Sequence, residues 1–147
     1  MRFFFLFVLT ACGEGWGDVP GAVLTPVGPP GWAERVDDAA QIWADALDGC
    51  PAPFVLGEDG HRVVLIPRDE WQHGRAAGIT HDEWIEVVDE LGELEPKVLV
   101  HELGHAIGLC HRDESDSVMH PSGVLAELPS LRDVELAAAA AGCEGGL

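Results

Sequence analysis

The sequence predicts an α+β domain, on three observations. Apolar residues recur every third or fourth position across 32–47, the spacing of a one-sided helix. Short runs rich in Val, Ile and Leu, cut by Gly, Asp and Pro, fill 54–66 and 77–91 and read as strands. Helix start and stop residues bracket 96–107 and 130–141. The order helix, strands, helix, loop, helix suits one domain, and 147 residues at 47% hydrophobic are enough for one core.

At the N-terminus, residues 1–11 combine Arg2, an apolar run from Phe3 to Leu9 and a small residue, Ala11, ahead of Cys12. That is the layout of an export signal, and the run is far shorter than the roughly 20 residues a membrane-spanning helix takes. Leu9 to Cys12 resembles a bacterial lipobox, which implies cleavage before Cys12 and lipid on its sulfur. An exported cell-envelope lipoprotein is expected, leaning to the outer membrane because Gly13 and Glu14 show no obvious inner-membrane retention signal; a secreted protein is the alternative. Residues 12–31 are rich in Gly and Pro and read as a tether, within which Ala22–Val27 is at most a short edge strand. The folded domain is expected over 32–147.

Its first helix sets Trp32, Val36, Ala39, Ala40, Trp43, Ala46 and Leu47 on one face, and Gly49 and Pro51 stop it. Two strands, Phe54–Leu56 and Arg62–Ile66, flank an Asp59-Gly60 turn, and Pro67 ends the second. Ala77–Leu91 reads as extended, two short strands. Pro96 opens the second helix, with Glu93 and Glu95 near the positive end of its dipole, and Gly108 ends it. After an irregular loop, Ser130 and Asp133 fit a capping box for the last helix, Ala137–Ala141 favour it, and Gly142 suits its end.

Charge excludes one class of partner. Lys and Arg number 8 against 26 Asp and Glu, a net −18, which repels nucleic acid and anionic membrane faces. Four cysteines occur without a CxxC, so neither a zinc finger nor a thioredoxin-like site has support. With Cys12 lipidated, Cys50, Cys110 and Cys143 remain, for one disulfide and a spare thiol. Of three pairings, Cys50–Cys143 is favoured because each follows a predicted helix; three buried free thiols are the alternative.

The chemistry concentrates in His101-Glu102-Leu103-Gly104-His105-Ala106-Ile107-Gly108-Leu109-Cys110-His111. His101 and His105, four apart on a helix, project from one face and suit a single zinc ion. Glu102, one residue on and about 100° round, is placed to take a proton from a water on the metal's open side. A catalytic zinc needs a third ligand and an open fourth position. Gly108 can adopt positive φ without steric cost, which allows a sharp turn that returns His111 to the metal.

This pattern resembles the HExxHxxGxxH signature of the metzincins. Met119, the only methionine besides Met1, lies eight residues after His111 in Ser117-Val118-Met119-His120-Pro121 and resembles that family's Met-turn, closest to the matrixin-like branch. The resemblance is specific over 98–121. It implies a small twisted mixed sheet with an N-terminal, an active-site and a C-terminal helix. It further implies one catalytic zinc on His101, His105 and His111, Glu102 as general base, peptide or protein substrates, and a monomer. The chain has no tyrosine, so the Tyr that some metzincins place after the Met-turn is lacking. His120 follows Met119 and reads as a solvated loop residue rather than part of the site. His73 and His81, with Asp82, form a weaker candidate for a second metal, zinc or calcium, a feature of matrixin-like domains, although the spacing does not match closely. The five tryptophans read as core or rim packing residues rather than a carbohydrate platform. A zinc metalloendopeptidase is therefore the expectation, and a catalytically silent, lipid-anchored zinc-fold binding module is its alternative.

Overall fold

A computed structural model describes residues 15–122 and 126–143. In chain order it holds β1 (Ala22–Val27), α1 (Trp32–Ala46), β2 (Phe54–Leu56), β3 (His61–Ile66), β4 (Gly78–Thr80), β5 (Trp84–Val88), α2 (Glu95–Ile107) and α3 (Leu131–Ala140). Single 3₁₀ turns at Arg68–Glu70 and Gly92–Leu94 join the later elements. The export signal and Cys12 lie outside the described residues. Among the described residues, no helix is long and apolar enough to cross a membrane.

The sheet has the order β2-β1-β3-β5-β4. β1 runs parallel to β2 and β3, β3 parallel to β5, and β4 antiparallel to β5. Side chains alternate across each strand, so Leu24, Val63, Leu65, Ile85 and Val87 are buried on one face. The other face carries Val23, Arg62, Val64, Ile66, Trp84 and Glu86, which line an open groove of about 760 Å³.

Two expectations are corrected by β1 and the residues before it. The stretch read as a tether is part of the domain from residue 15 on, and β1 is an interior strand between β2 and β3 rather than an edge. Trp16 supplies the reason. Its ring is buried and stacks on His61 at 3.9 Å, its backbone N–H donates to Ala106 at 2.7 Å, and its indole N–H donates to the His81 carbonyl at 3.0 Å. Gly15 fits there because a Cβ would lie 2.4 Å from the Ile107 backbone. The Gly and Pro content that reads as flexible thus serves close packing.

α1 buries Trp32, Val36, Ala39, Ala40 and Trp43, the helical stripe that the sequence shows. Two of its indoles find buried acceptors, as buried tryptophans require: Trp32 donates to the Val63 carbonyl in β3 at 2.8 Å, and Trp43 to the Val100 carbonyl in α2 at 2.9 Å. Arg35 of α1 pairs with Glu95 in the first turn of α2 at 2.5 Å. α1 thereby fixes α2, the helix that carries the histidines.

Cys50, just past α1, and Cys143, just past α3, are joined by a disulfide. Cys110 is disulfide-bonded as well, so the spare thiol expected from the cysteine count is not found among the described residues. The Cys50–Cys143 bridge closes a separation of 93 residues. In the chain-entropy account such a loop is worth roughly 4–5 kcal/mol. Replacing both cysteines with alanine should lower the unfolding free energy by an amount of that order, read from the shift of the urea midpoint, and an unchanged midpoint would show that the ends of α1 and α3 are held by packing alone.

Candidate active site

α2 begins without a side-chain cap, has Pro96 in its first turn, and ends at Gly108. Gly108 has φ of 119°, a left-handed conformation in which a side chain would be strained. The backbone N–H groups of Gly108 and Leu109 both reach back to Gly104, at 3.2 and 2.9 Å, and close the helix. The chain leaves α2 there and comes back beside it.

The result is a convergence of three imidazoles. The Nε2 atoms of His101 and His111 are 3.1 Å apart, those of His105 and His101 3.2 Å, and those of His105 and His111 3.1 Å. The other nitrogen of two rings is committed: His101 Nδ1 donates to the Val118 carbonyl at 2.7 Å, and His105 Nδ1 to the Leu109 carbonyl at 2.8 Å. Donation through Nδ1 leaves a lone pair on Nε2. Nitrogens aimed at one point repel unless a cation lies between them. For a tetrahedral zinc with bonds of about 2.0–2.1 Å, the ligand nitrogens stand about 3.3 Å apart, so the cluster fits the ion in both spacing and donor type.

Burial favours the neutral form of the rings, the state a metal ligand needs. Desolvation, then the neighbouring His105, pushes His101 well below the usual histidine range. Desolvation likewise brings His105 down to about 4, against the hydrogen bond to Leu109, and lowers His111, with His120 adding to the effect.

Glu102 is buried beside them. Desolvation raises its carboxyl to about 7, and hydrogen bonds from Thr80 only partly oppose the rise. The Thr80 hydroxyl lies 2.6 Å from Glu102 Oε2 and 2.8 Å from the Glu102 main-chain oxygen.

Met119 is fully buried beneath α2, and its sulfur rests where a Cβ on Gly104 would be, at 2.4 Å. The loop that carries it is tied down at several points. Arg112 N–H donates to the Met119 carbonyl at 3.1 Å, and Met119 N–H to Ser117 Oγ at 3.0 Å. Asp133, buried at the third position of α3, accepts from Ser117 Oγ at 2.6 Å, from Val118 N–H at 3.0 Å and from Ser130 N–H at 3.0 Å. Ser130 and Asp133 form the capping box that the sequence predicts, and the same carboxylate reaches into the loop.

A matrixin family model matches residues 36–134, about two thirds of the sequence. The chain belongs to the matrixin family. Matrix metalloproteinase-B of Caenorhabditis elegans is 42% identical over 45 residues, covering 27% of this matrixin chain and 9% of that protein, so the chain spans under a tenth of its relative's length. Among solved structures, myroilysin superposes with a TM-score of 0.63 at 14% identity, covering 88% of this chain and 86% of its own. Archaemetzincin from Methanopyrus kandleri gives 0.60 at 16% identity, covering 90% and 98%. These likenesses show that the fold is shared: a mixed α+β arrangement of the metzincin type.

Within this matrixin chain, two placements differ from the sequence reading. His120 is half-buried, and its Nδ1 accepts from Ser122 N–H at 3.1 Å, so it is held in the loop rather than freely solvated. His73 and His81 gather with Glu86, not Asp82: Glu86 Oε2 is 3.0 Å from His73 Nε2 and 2.7 Å from His81 Nε2, and Asp82 is exposed. The alternation of β5 explains this, because Glu86 points from the strand toward the same side as His81, two positions on from Trp84, which stacks on His81 at 4.1 Å. Trp84 is itself 41% exposed and packs at the rim, as the sequence reading allows. Thr80, and the reach of Asp133 beyond its cap, went unread. A threonine in a short strand and an aspartate in a capping box have common local explanations, and only the folded chain brings them to Glu102 and Val118.

Proposed function

We propose that this chain is a zinc-dependent metalloendopeptidase in which His101, His105 and His111 hold the metal and Glu102 moves the proton. The observation that carries the proposal is the convergence of three Nε2 atoms next to a buried carboxylate that desolvation raises to about 7. Bound there, zinc supplies a Lewis acid that polarises the scissile carbonyl and acidifies a water.

The remaining work belongs to the protein. Glu102 takes a proton from the attacking water and later gives it to the leaving amine. Thr80 serves the carboxyl group in both conditions. Its hydroxyl donates to Oε2 when Glu102 is ionised. When Glu102 holds the proton, the carboxyl O–H donates to Thr80 Oγ1, and the Thr80 proton turns to the Glu102 main-chain oxygen. Val118 and Leu109 carbonyls fix the tautomers of His101 and His105. β4 is an edge strand that pairs only with β5 among the described residues and packs beside α2. An extended peptide adding to that edge passes the site, with backbone hydrogen bonds giving affinity. The acidic surface favours substrates that are not themselves strongly acidic. Two disulfide-bonded sites, at Cys50–Cys143 and Cys110, support export to an oxidising compartment.

Metal content and cleavage of an unstructured protein such as casein test the reading together. Bound zinc and cleavage that a chelator stops and zinc restores are expected. A second equivalent that is lost in Glu86→Ala would place metal on His73, His81 and Glu86 also. A folded chain that takes up no zinc overturns the proposal.

A further inference from the structure

Two residues of β4 enclose the Glu102 side chain, and neither is explained by the strand itself. Thr80 lies 2.6 Å from Glu102 Oε2 and 2.8 Å from its main-chain oxygen, so a single hydroxyl touches both ends of one residue on another element. Gly78 stands two positions earlier, on the same face of the strand. A Cβ at Gly78 would lie 2.8 Å from Glu102 Cγ, 2.9 Å from Glu102 Oε1 and 2.9 Å from Val98 Cγ1. Its backbone is ordinary strand, paired with Val87, and not one of the positive-φ glycines. Space, not conformation, is therefore what requires glycine there.

We propose that Gly78 and Thr80 are positioning residues that form a socket for the Glu102 carboxylate, Thr80 fixing one oxygen and Gly78 leaving room for the other. The inference deepens the reading of Glu102 as proton carrier and rests on it. A glutamate at the surface of a helix has several rotamers, and holding one of them in place lowers the cost of reaching the reactive geometry. Because the socket is built on the edge strand, the carboxylate is registered to the strand along which a peptide would add, and not to α2 alone.

The test compares the zinc-loaded full chain with Thr80→Val, Thr80→Ser and Gly78→Ala. Thr80→Val should lower kcat about 10- to 100-fold with KM and zinc content near the parent values. Thr80→Ser, which keeps the hydroxyl, should recover most of the loss, and Gly78→Ala should lower kcat by crowding the carboxylate. A second readout needs no turnover. The ¹³C carboxyl resonance of Glu102 in zinc-free protein, identified by its loss in Glu102→Gln, should shift in Thr80→Val and return in Thr80→Ser. Parent kcat and an unmoved resonance in Thr80→Val overturn the socket, as does a loss that serine fails to repair, which assigns Thr80 to strand packing. If Glu102→Gln itself keeps full activity, the reading of Glu102 falls, while the resonance still reports whether the socket exists.

Discussion

Glu102→Gln should reduce turnover about 10²- to 10⁴-fold while zinc stays in place. Glutamine keeps the shape and an acceptor for Thr80, but it cannot take a proton from water or deliver one to the leaving amine. Zinc in both proteins and cleavage in neither would instead favour a binding module on a metzincin-type fold. The same substitution has a second, opposite effect on stability. Burial raises the Glu102 carboxyl from 4.5 to about 7, so the fold prefers the protonated form. That preference contributes fully below pH 4.5, the unfolded value, and is lost as the pH rises through about 7. Above it, the zinc-free fold carries a buried negative charge. Zinc-free Glu102→Gln should therefore be more stable than the parent at about pH 8, by up to about 3 kcal/mol, and equal to it at about pH 4. Denaturation at the two pH values reads the difference, and equal stability at both would show that Glu102 is hydrated in solution.

Asp133→Ala is the second large effect. The carboxylate accepts three hydrogen bonds, is fully buried, and lies 3.6 Å from Arg112 Nε. Removing it leaves Ser117, Val118 and Ser130 donors without their acceptor and part of the Arg112 charge uncompensated. A loss of about 3–5 kcal/mol is expected. The loss should also reach the metal. Val118 gives its N–H to Asp133 and its carbonyl to His101, so a single residue connects the cap of α3 to a ligand. Zinc affinity should fall about 10- to 100-fold, in the range of other ligand-orienting groups. A competition titration against a chromophoric chelator measures it at a temperature where the variant is folded. Unaltered affinity would show that Met119 and Gly104 hold the loop without help.

What can be read in the sequence follows the range of the forces involved. α1 is plain from the spacing of Trp32, Val36 and Trp43, because a helix face repeats locally. The turn at Gly108 and the capping box of Ser130 and Asp133 are equally local. The histidines fall within one helix and its exit, so their meeting follows from spacing. The strand order does not, since β1 inserts between β2 and β3 through long-range pairing that leaves no periodic mark. Residues 15–21 mislead for a related reason: glycine and proline look alike in a tether and in a tight contact, and only Trp16 against Ala106 and His61 separates the two. Thr80, Gly78 and Glu86 depend on which strands become neighbours, and so belong to the same unread class.

The bridge from Cys50 to Cys143 spans the sheet strands β2 to β5, all of α2, the metal ligands and α3. The proposed activity would expose the chain to copies of itself. A single cut anywhere between those two cysteines leaves both pieces covalently attached, and the nicked molecule keeps its mass until the bridge is reduced. Its three imidazoles come from an unbroken stretch of eleven residues, 101–111, so a nick in the loops outside that stretch leaves the ligand set on one fragment. The covalent ring makes the fold tolerant of injury at its surface.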